Sequence, residues 1–300
     1  LLENLGFLNV LSSEGDKMIK INGLTKYYKK EIGCKDISLN IKAGDFVGFI
    51  GPNGSGKTTL IRTMLGLLNP SKGDVSILGK DLKDSKFYDI FDETSYISNE
   101  TTFFKKLKVK ELLKHFKNLK DVNEDYLNHL IKSFKLELDK SIEKLSFGNQ
   151  KKLNIIIALM SQPKLLIMDE PTNGLDPIVQ KILFKELKKL NKDGATIFLS
   201  SHIISDIEKV CNRIMFIKEG EIILDSNIET LKSSINKKII YTNRKINLKD
   251  LELLEQTKIH YKYIYSGSLD ILFKHLIDEK IFDINISDMS LSDLMERYYD

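Results

Sequence analysis

The segment Gly51-Pro52-Asn53-Gly54-Ser55-Gly56-Lys57-Thr58 restricts what this chain can fold into more than any other feature. It satisfies the pattern G-x-x-x-x-G-K-[ST]; the short apolar run Phe46 to Ile50 precedes it, and Thr58 to Leu68 follows with apolar residues at helical spacing. A buried strand, a glycine-rich turn and a helix are expected in that order. Glycines let backbone N–H groups turn inward around phosphate oxygens, and the helix N-terminus adds partial positive charge. Lys57 is placed to reach the β- and γ-phosphates of a nucleotide and the Thr58 hydroxyl to ligate Mg²⁺, and Thr59 is expected beside them among the nucleotide-binding residues.

The flanking sequence supplies a scaffold for such a loop. Met18 to Ile41 alternates apolar and polar residues, which predicts an antiparallel β-layer. From about Phe87 to Leu145 the chain turns lysine-rich, with Val109, Leu112, Leu113 and Phe116 at helical intervals, and reads as an inserted helical subdomain. Leu165 to Met168 and Thr196 to Leu199 read as buried strands on either side of the helical Ile178 to Leu190, the alternation of a parallel α/β core. Glu221 to Leu224 closes a domain expected over residues 18–226, and residues 227–300 read as a small C-terminal α/β module. Residues 1–17 lack the charged and apolar pattern of a secretory signal and are expected to be an extension, with Met18 the natural start.

No stretch reaches the roughly 18 to 20 apolar residues of a membrane-spanning helix. A formal charge of +4, from 46 basic and 42 acidic side chains, is too balanced to argue for nucleic-acid binding. Cys34 and Cys211 stand in no metal or redox spacing and read as buried packing thiols.

Two further segments carry chemistry. Leu165-Leu166-Ile167-Met168 ends abruptly in Asp169-Glu170, at the strand edge where open α/β sheets bind ligands. There Asp169 would hold the metal and Glu170 would polarise an attacking water, although alone such a pair is equally a solubilising turn before Pro171. Leu145-Ser146-Phe147-Gly148-Asn149 opens a strongly apolar helix about 90 residues beyond the phosphate loop. Ser146 and the Gly148 N–H would stand at a helix start, where the dipole favours an anion.

Taken together, these segments resemble the ATP-binding-cassette (ABC) ATPases. Leu145 to Asn149 resembles their LSGGQ signature, and Asn173-Gly174-Leu175-Asp176 their D-loop. His202 after Ser200-Ser201 is similar to their switch histidine, and Tyr28 to their adenine-stacking aromatic, with Tyr27 as the alternative. The resemblance runs in unbroken order from about Ile19 to Leu224. It implies a P-loop NTPase fold with ATP and Mg²⁺ as ligands, Glu170 and His202 as catalytic residues, and Thr58 and Asp169 at the metal. It further implies that the signature contacts the γ-phosphate held by a second chain, so that two nucleotides lie in a head-to-tail dimer of this chain with itself or with another ABC subunit. Separate membrane-spanning permease subunits are the implied partners, at the cytoplasmic face of the cell membrane, and no nucleic acid is expected.

Three positions depart from the family pattern. Asn99 stands where most members carry the Q-loop glutamine, and either its shorter carboxamide or the adjacent Glu100 takes that role. Phe147 replaces the first signature glycine and Asn149 the glutamine, as in the branch that resembles bacitracin-type and other peptide or drug exporters; Ile203 to Glu208 and the tail Leu291 to Tyr299 look like that branch too. An exporting transporter subunit is thus the expected function. The alternatives are a soluble ABC ATPase acting on ribosomes or DNA and a hydrolysis-impaired nucleotide sensor. The first would carry paired cassettes or a long coiled coil, and intact Lys57, Asp169, Glu170 and His202 argue against the second.

Overall fold

In a computed structural model, which describes residues 17–29, 31–100, 106–234 and 237–294, the chain opens with β1 (Lys17–Tyr28) and β2 (Glu31–Lys42). They pair antiparallel, Ile19 opposite Ile41 and Ile21 opposite Leu39, so that the period-two alternation delivers the apolar residues of both strands to one buried face. Next come β3 (Phe46–Ile50), α1 (Lys57–Met64), β4 (Lys72–Ile77) and β5 (Lys80–Asp81). The order β2-β1-β4-β5 makes a four-stranded antiparallel layer.

The second half of the core alternates strand and helix. After β6 (Thr94–Ile97) and the helices α2 (Val109–Lys117), α3 (Glu124–Phe134) and α4 (Phe147–Leu159) follow β7 (Leu165–Asp169), α5 (Pro177–Lys192), β8 (Thr196–Ser201), α6 (Ile204–Val210), β9 (Arg213–Lys218) and β10 (Glu221–Asn227). The six-stranded sheet runs β10-β9-β3-β8-β7-β6, and β9, β3, β8, β7 and β6 are mutually parallel. Leu60, Ile61 and Met64 of α1 are wholly buried in one cluster with Val47 and Phe49 of this sheet and Ile19 and Ile21 of the antiparallel layer. The first turn of α1 is thereby held between two sheets, a rigid seat for the loop that precedes it.

Two expectations need correction. Thr58 to Leu68 is not one helix: α1 ends at Met64, Gly66 takes a left-handed φ of 72°, and the Leu67 and Leu68 N–H groups both turn back to the Arg62 carbonyl. The helical insertion also does not begin at Phe87. Phe87–Asp92 is a 3-10 turn whose Phe87 and Ile90 join the core, and β6 is an edge strand of the parallel sheet. Four residues are too few for strand periodicity to show, so the lysine-rich sequence that follows masked this strand.

The chain divides after Asp225 into two compact units. In the second, α7 (Ile228–Ser234), β11 (Lys238–Thr242), β12 (Leu251–Gln256), β13 (Tyr261–Tyr265), α8 (Leu269–Asp278) and β14 (Ile284–Asp288) supply a sheet of order β12-β13-β11-β14. Leu272 and Leu276 of α8 pack on Ile240, Tyr263 and Tyr265. Residues 1–16, Lys105 and the tail from Met295 lie outside the described residues. Among the described residues no helix is long and apolar enough to cross a membrane.

Candidate nucleotide-binding and catalytic site

The loop between β3 and α1 closes through its glycines. Gly56 has φ 103° and lies against the Gly33 carbonyl so closely that a Cβ there would approach it to 2.1 Å. Only glycine fits, which brings the wall of β2 against the loop. Lys57, the first residue of α1 and 5% exposed, folds back to donate to the Gly51 carbonyl at 2.8 Å and the Pro52 carbonyl at 3.1 Å. Its Nζ is 3.3 Å from Glu170 Oε1.

The parallel sheet presents the acidic pair at the C-terminal end of β7. Asp169 is wholly buried; its Oδ2 accepts from the Thr58 hydroxyl at 2.6 Å and its Oδ1 from the Ser200 hydroxyl at 2.7 Å. Glu170 takes a φ of 48°, unusual for a residue with a side chain, and is held there by its N–H donating to Ser200 Oγ at 3.0 Å. That turn aims the carboxylate at Lys57, while Asn173 Nδ2 donates to Oε2 at 2.6 Å and His202 Nδ1 lies 3.3 Å from the same oxygen. A carboxylate held between a cation, an amide and an imidazole is fixed in orientation.

Lys57, Thr58, Glu170, Asn173 and His202 share a cavity of ≈ 610 Å³. Asn53, Gly54, Lys57, Thr58 and Thr59 line it, with Glu170, Asn173, His202, Asn99, Tyr28 and Ile32. Tyr28 is about half exposed, with its hydroxyl 3.5 Å from Thr59 Oγ1. Of the two tyrosines, Tyr28 lines this cavity and Tyr27 does not. Asn99 lines it too, whereas Glu100 is exposed and pairs with Arg62 at 3.5 Å.

Leu145, Ser146, Phe147, Gly148 and Asn149 do not line the cavity. Ser146 caps α4, accepting from the Asn149 N–H at 3.4 Å, and Phe147 is 54% exposed. Leu175 is buried, and Asp176 caps α5 by accepting from the Ile178 and Val179 N–H groups at 3.0 Å each.

A family model described as ABC transporter matches residues 34–173. The bacitracin transport ATP-binding protein BcrA of Bacillus licheniformis is 33% identical over 293 residues, which span 92% of this chain and 95% of that protein. The chain belongs to the ABC transporter ATP-binding family. Within it, the chain is 34% identical over 233 residues to the lantibiotic transport ATP-binding protein SrtF of Streptococcus pyogenes, covering 76% of this chain and 100% of the relative. A solved dimer, a post-hydrolysis state of the ATP-binding cassette MJ0796 bound to ADP and Pi, superposes with a TM-score of 0.63 at 27% identity, covering 70% of this chain and 99% of that one. This ABC cassette is accordingly an ATP-binding, ATP-hydrolysing transporter subunit.

Three contributors escaped the sequence reading. Ser200, read only as a neighbour of the histidine, joins Asp169 to the Glu170 N–H; Asn173, read only as loop, orients the Glu170 carboxylate. Lys151 is wholly buried and donates to the Asn99 carbonyl at 2.6 Å. Its signal was a lysine at the head of the apolar helix that carries the signature.

Proposed function

We propose that Glu170 polarises the water that attacks the γ-phosphate, with His202 beside it and Lys57 reading the β- and γ-oxygens. The observation that carries this reading is the convergence of Lys57, Asn173 and His202 on the two oxygens of one carboxylate at the end of a buried strand. Phosphoryl transfer needs little beyond such positioning and charge. Tyr28, which lines the same cavity, stacks on the base.

Mg²⁺ fits the donors present. Thr58 and Asp169 offer a hydroxyl and a carboxylate already in contact, and Ser55 Oγ is buried with no hydrogen-bond partner among the described residues. A small hard cation that keeps several waters and shares phosphate oxygens suits one hydroxyl and one carboxylate. Thr58 and Asp169 would hold it, with Asn99, which lines the same cavity, as a further ligand through water; bound there, it would neutralise charge on the phosphates.

Because Ser146 and Gly148 lie outside the cavity of their own chain, they serve the nucleotide of a second one, in a dimer with itself or with another ABC subunit. The MJ0796 cassette, a dimer in its ADP and Pi state, supports this arrangement. We infer, on the strength of BcrA and SrtF, that the cargo is a peptide-type compound moved outward through separate permease subunits, with this chain on their cytoplasmic side. The exposed Lys106 and Lys108 at the head of α2 are the proposed contact with the permease. Reversing both to glutamate should cut recovery of the permease with the tagged cassette while leaving ATP binding at the parental level. Undiminished recovery would remove that contact from the account.

A further inference from the structure

Lysine is seldom wholly buried, because its ammonium loses its hydration there. Lys151 is 0% exposed, in the second turn of α4. Its Nζ donates to the Asn99 carbonyl at 2.6 Å and lies 5.8 Å from the centre of the Phe147 ring, one helical turn earlier on the same face. Burial pulls its pKa below the ordinary lysine value, and the Asp169 and Glu170 carboxylates act against that pull.

The Phe147 ring in turn covers Gly174, where a Cβ would meet Phe147 Cε1 at 2.3 Å, and the next residue back, Asn173, holds the Glu170 carboxylate at 2.6 Å. Unbroken contacts therefore run from Asn99 in the cavity wall through Lys151 and Phe147 to the D-loop and Glu170. Phe147, which stands where the family carries glycine, is what closes this circuit: a glycine there would leave both the ammonium and Gly174 without a ring to pack on.

We propose that Lys151 is a positioning residue that couples the nucleotide cavity to the signature turn of the same chain. The inference rests on the cavity being the nucleotide site. When nucleotide arrives and Asn99 shifts, the ammonium carries that shift to Phe147, and so to the presentation of Ser146 and the D-loop. Contiguity alone does not establish coupling; a response lost on breaking one link does.

Amide hydrogen exchange on the full chain, with and without Mg·ATP and at a dilution where size-exclusion shows a monomer, reads this directly. In the parent, Mg·ATP should slow exchange by at least about threefold both at the phosphate loop, 51–58, and at the signature, 145–151. Lys151→Met fills the same volume without charge or donor. It should keep the phosphate-loop protection, with the Kd for ATP within about twofold of the parent, and lose the signature response. Phe147→Leu, at an exposed position that does not threaten folding, should lose the same response and carries the test alone if Lys151→Met fails to fold. A signature response preserved in either folded variant would overturn the coupling. So would a Lys151→Met variant that loses phosphate-loop protection in step, since that describes a merely structural lysine, or a parent whose signature never responds. A parent without phosphate-loop protection would instead remove the nucleotide-site reading on which the coupling stands.

Discussion

Glu170 occupies a left-handed backbone position that glycine would fill without strain, and the Ser200 hydroxyl holds it there. Strain of this kind is kept where a side chain must be aimed, and here it points at Lys57. Lys57→Ala removes the one ammonium in the loop and should weaken ATP binding at least about tenfold, read by titration with a fluorescent analogue; equal affinity in mutant and parent would contradict the assignment. The cysteines make a second residue-scale test. Burial pushes the Cys34 thiol up to about 11 and the Cys211 thiol well above its ordinary value. At pH 8 only about one Cys34 in a thousand is thiolate, and both thiols should resist a water-soluble disulfide reagent until denaturant is added. Fast labelling of the folded chain would show that burial to be wrong. Legibility at this scale followed pattern: the phosphate loop stands out by its own motif, whereas the acidic pair and His202 are read as functional only from their place in the family order. Choosing Tyr28 over Tyr27, or Asn99 over Glu100, needs to know which side chain faces the cavity, and neighbouring residues share a sequence context.

Among elements, α5 shows how one residue serves structure while standing in a functional loop. Asp176 satisfies two N–H groups of its first turn, and Pro177 follows at the position where its missing N–H is harmless. Asp176→Ala should cost about 1 kcal/mol in denaturant unfolding of the cassette; no loss of stability would mean that the cap is dispensable. The phosphate loop is stricter. Gly56→Ala forces both a disfavoured φ and a clash with the Gly33 backbone, and should abolish nucleotide binding while the sheets persist by circular dichroism. Unimpaired binding by Gly56→Ala would contradict the loop geometry. Elements built from long periodic runs, such as α5 and the β1–β2 pair, were legible in sequence. The edge strand β6 was not, because its four residues join the sheet through pairing with Leu165 to Met168, about 70 residues away, and no local pattern records that partner.

At the scale of the molecule, the chain is a cassette followed by a second unit with its own sheet and core. SrtF is matched over its whole length by about three quarters of this chain. A truncation after Asn227 keeps β10 and the pairing of Arg213 with Asp225 at 2.7 Å, and should bind ATP within about threefold of the full chain; a truncated cassette that folds yet binds no ATP would tie the second unit to the site. The central claim is that a site built from two chains hydrolyses ATP at Glu170. Glu170→Gln keeps the shape and removes the charge, and turnover should fall at least about a hundredfold with ATP affinity unchanged. The most direct measurement is size-exclusion chromatography of Glu170→Gln with Mg·ATP. The account predicts a shift from monomer to dimer that ADP does not produce and that Ser146→Arg abolishes. A Glu170→Gln variant that hydrolyses ATP at the parental rate, or a Ser146→Arg double variant that still dimerises with ATP, would contradict it.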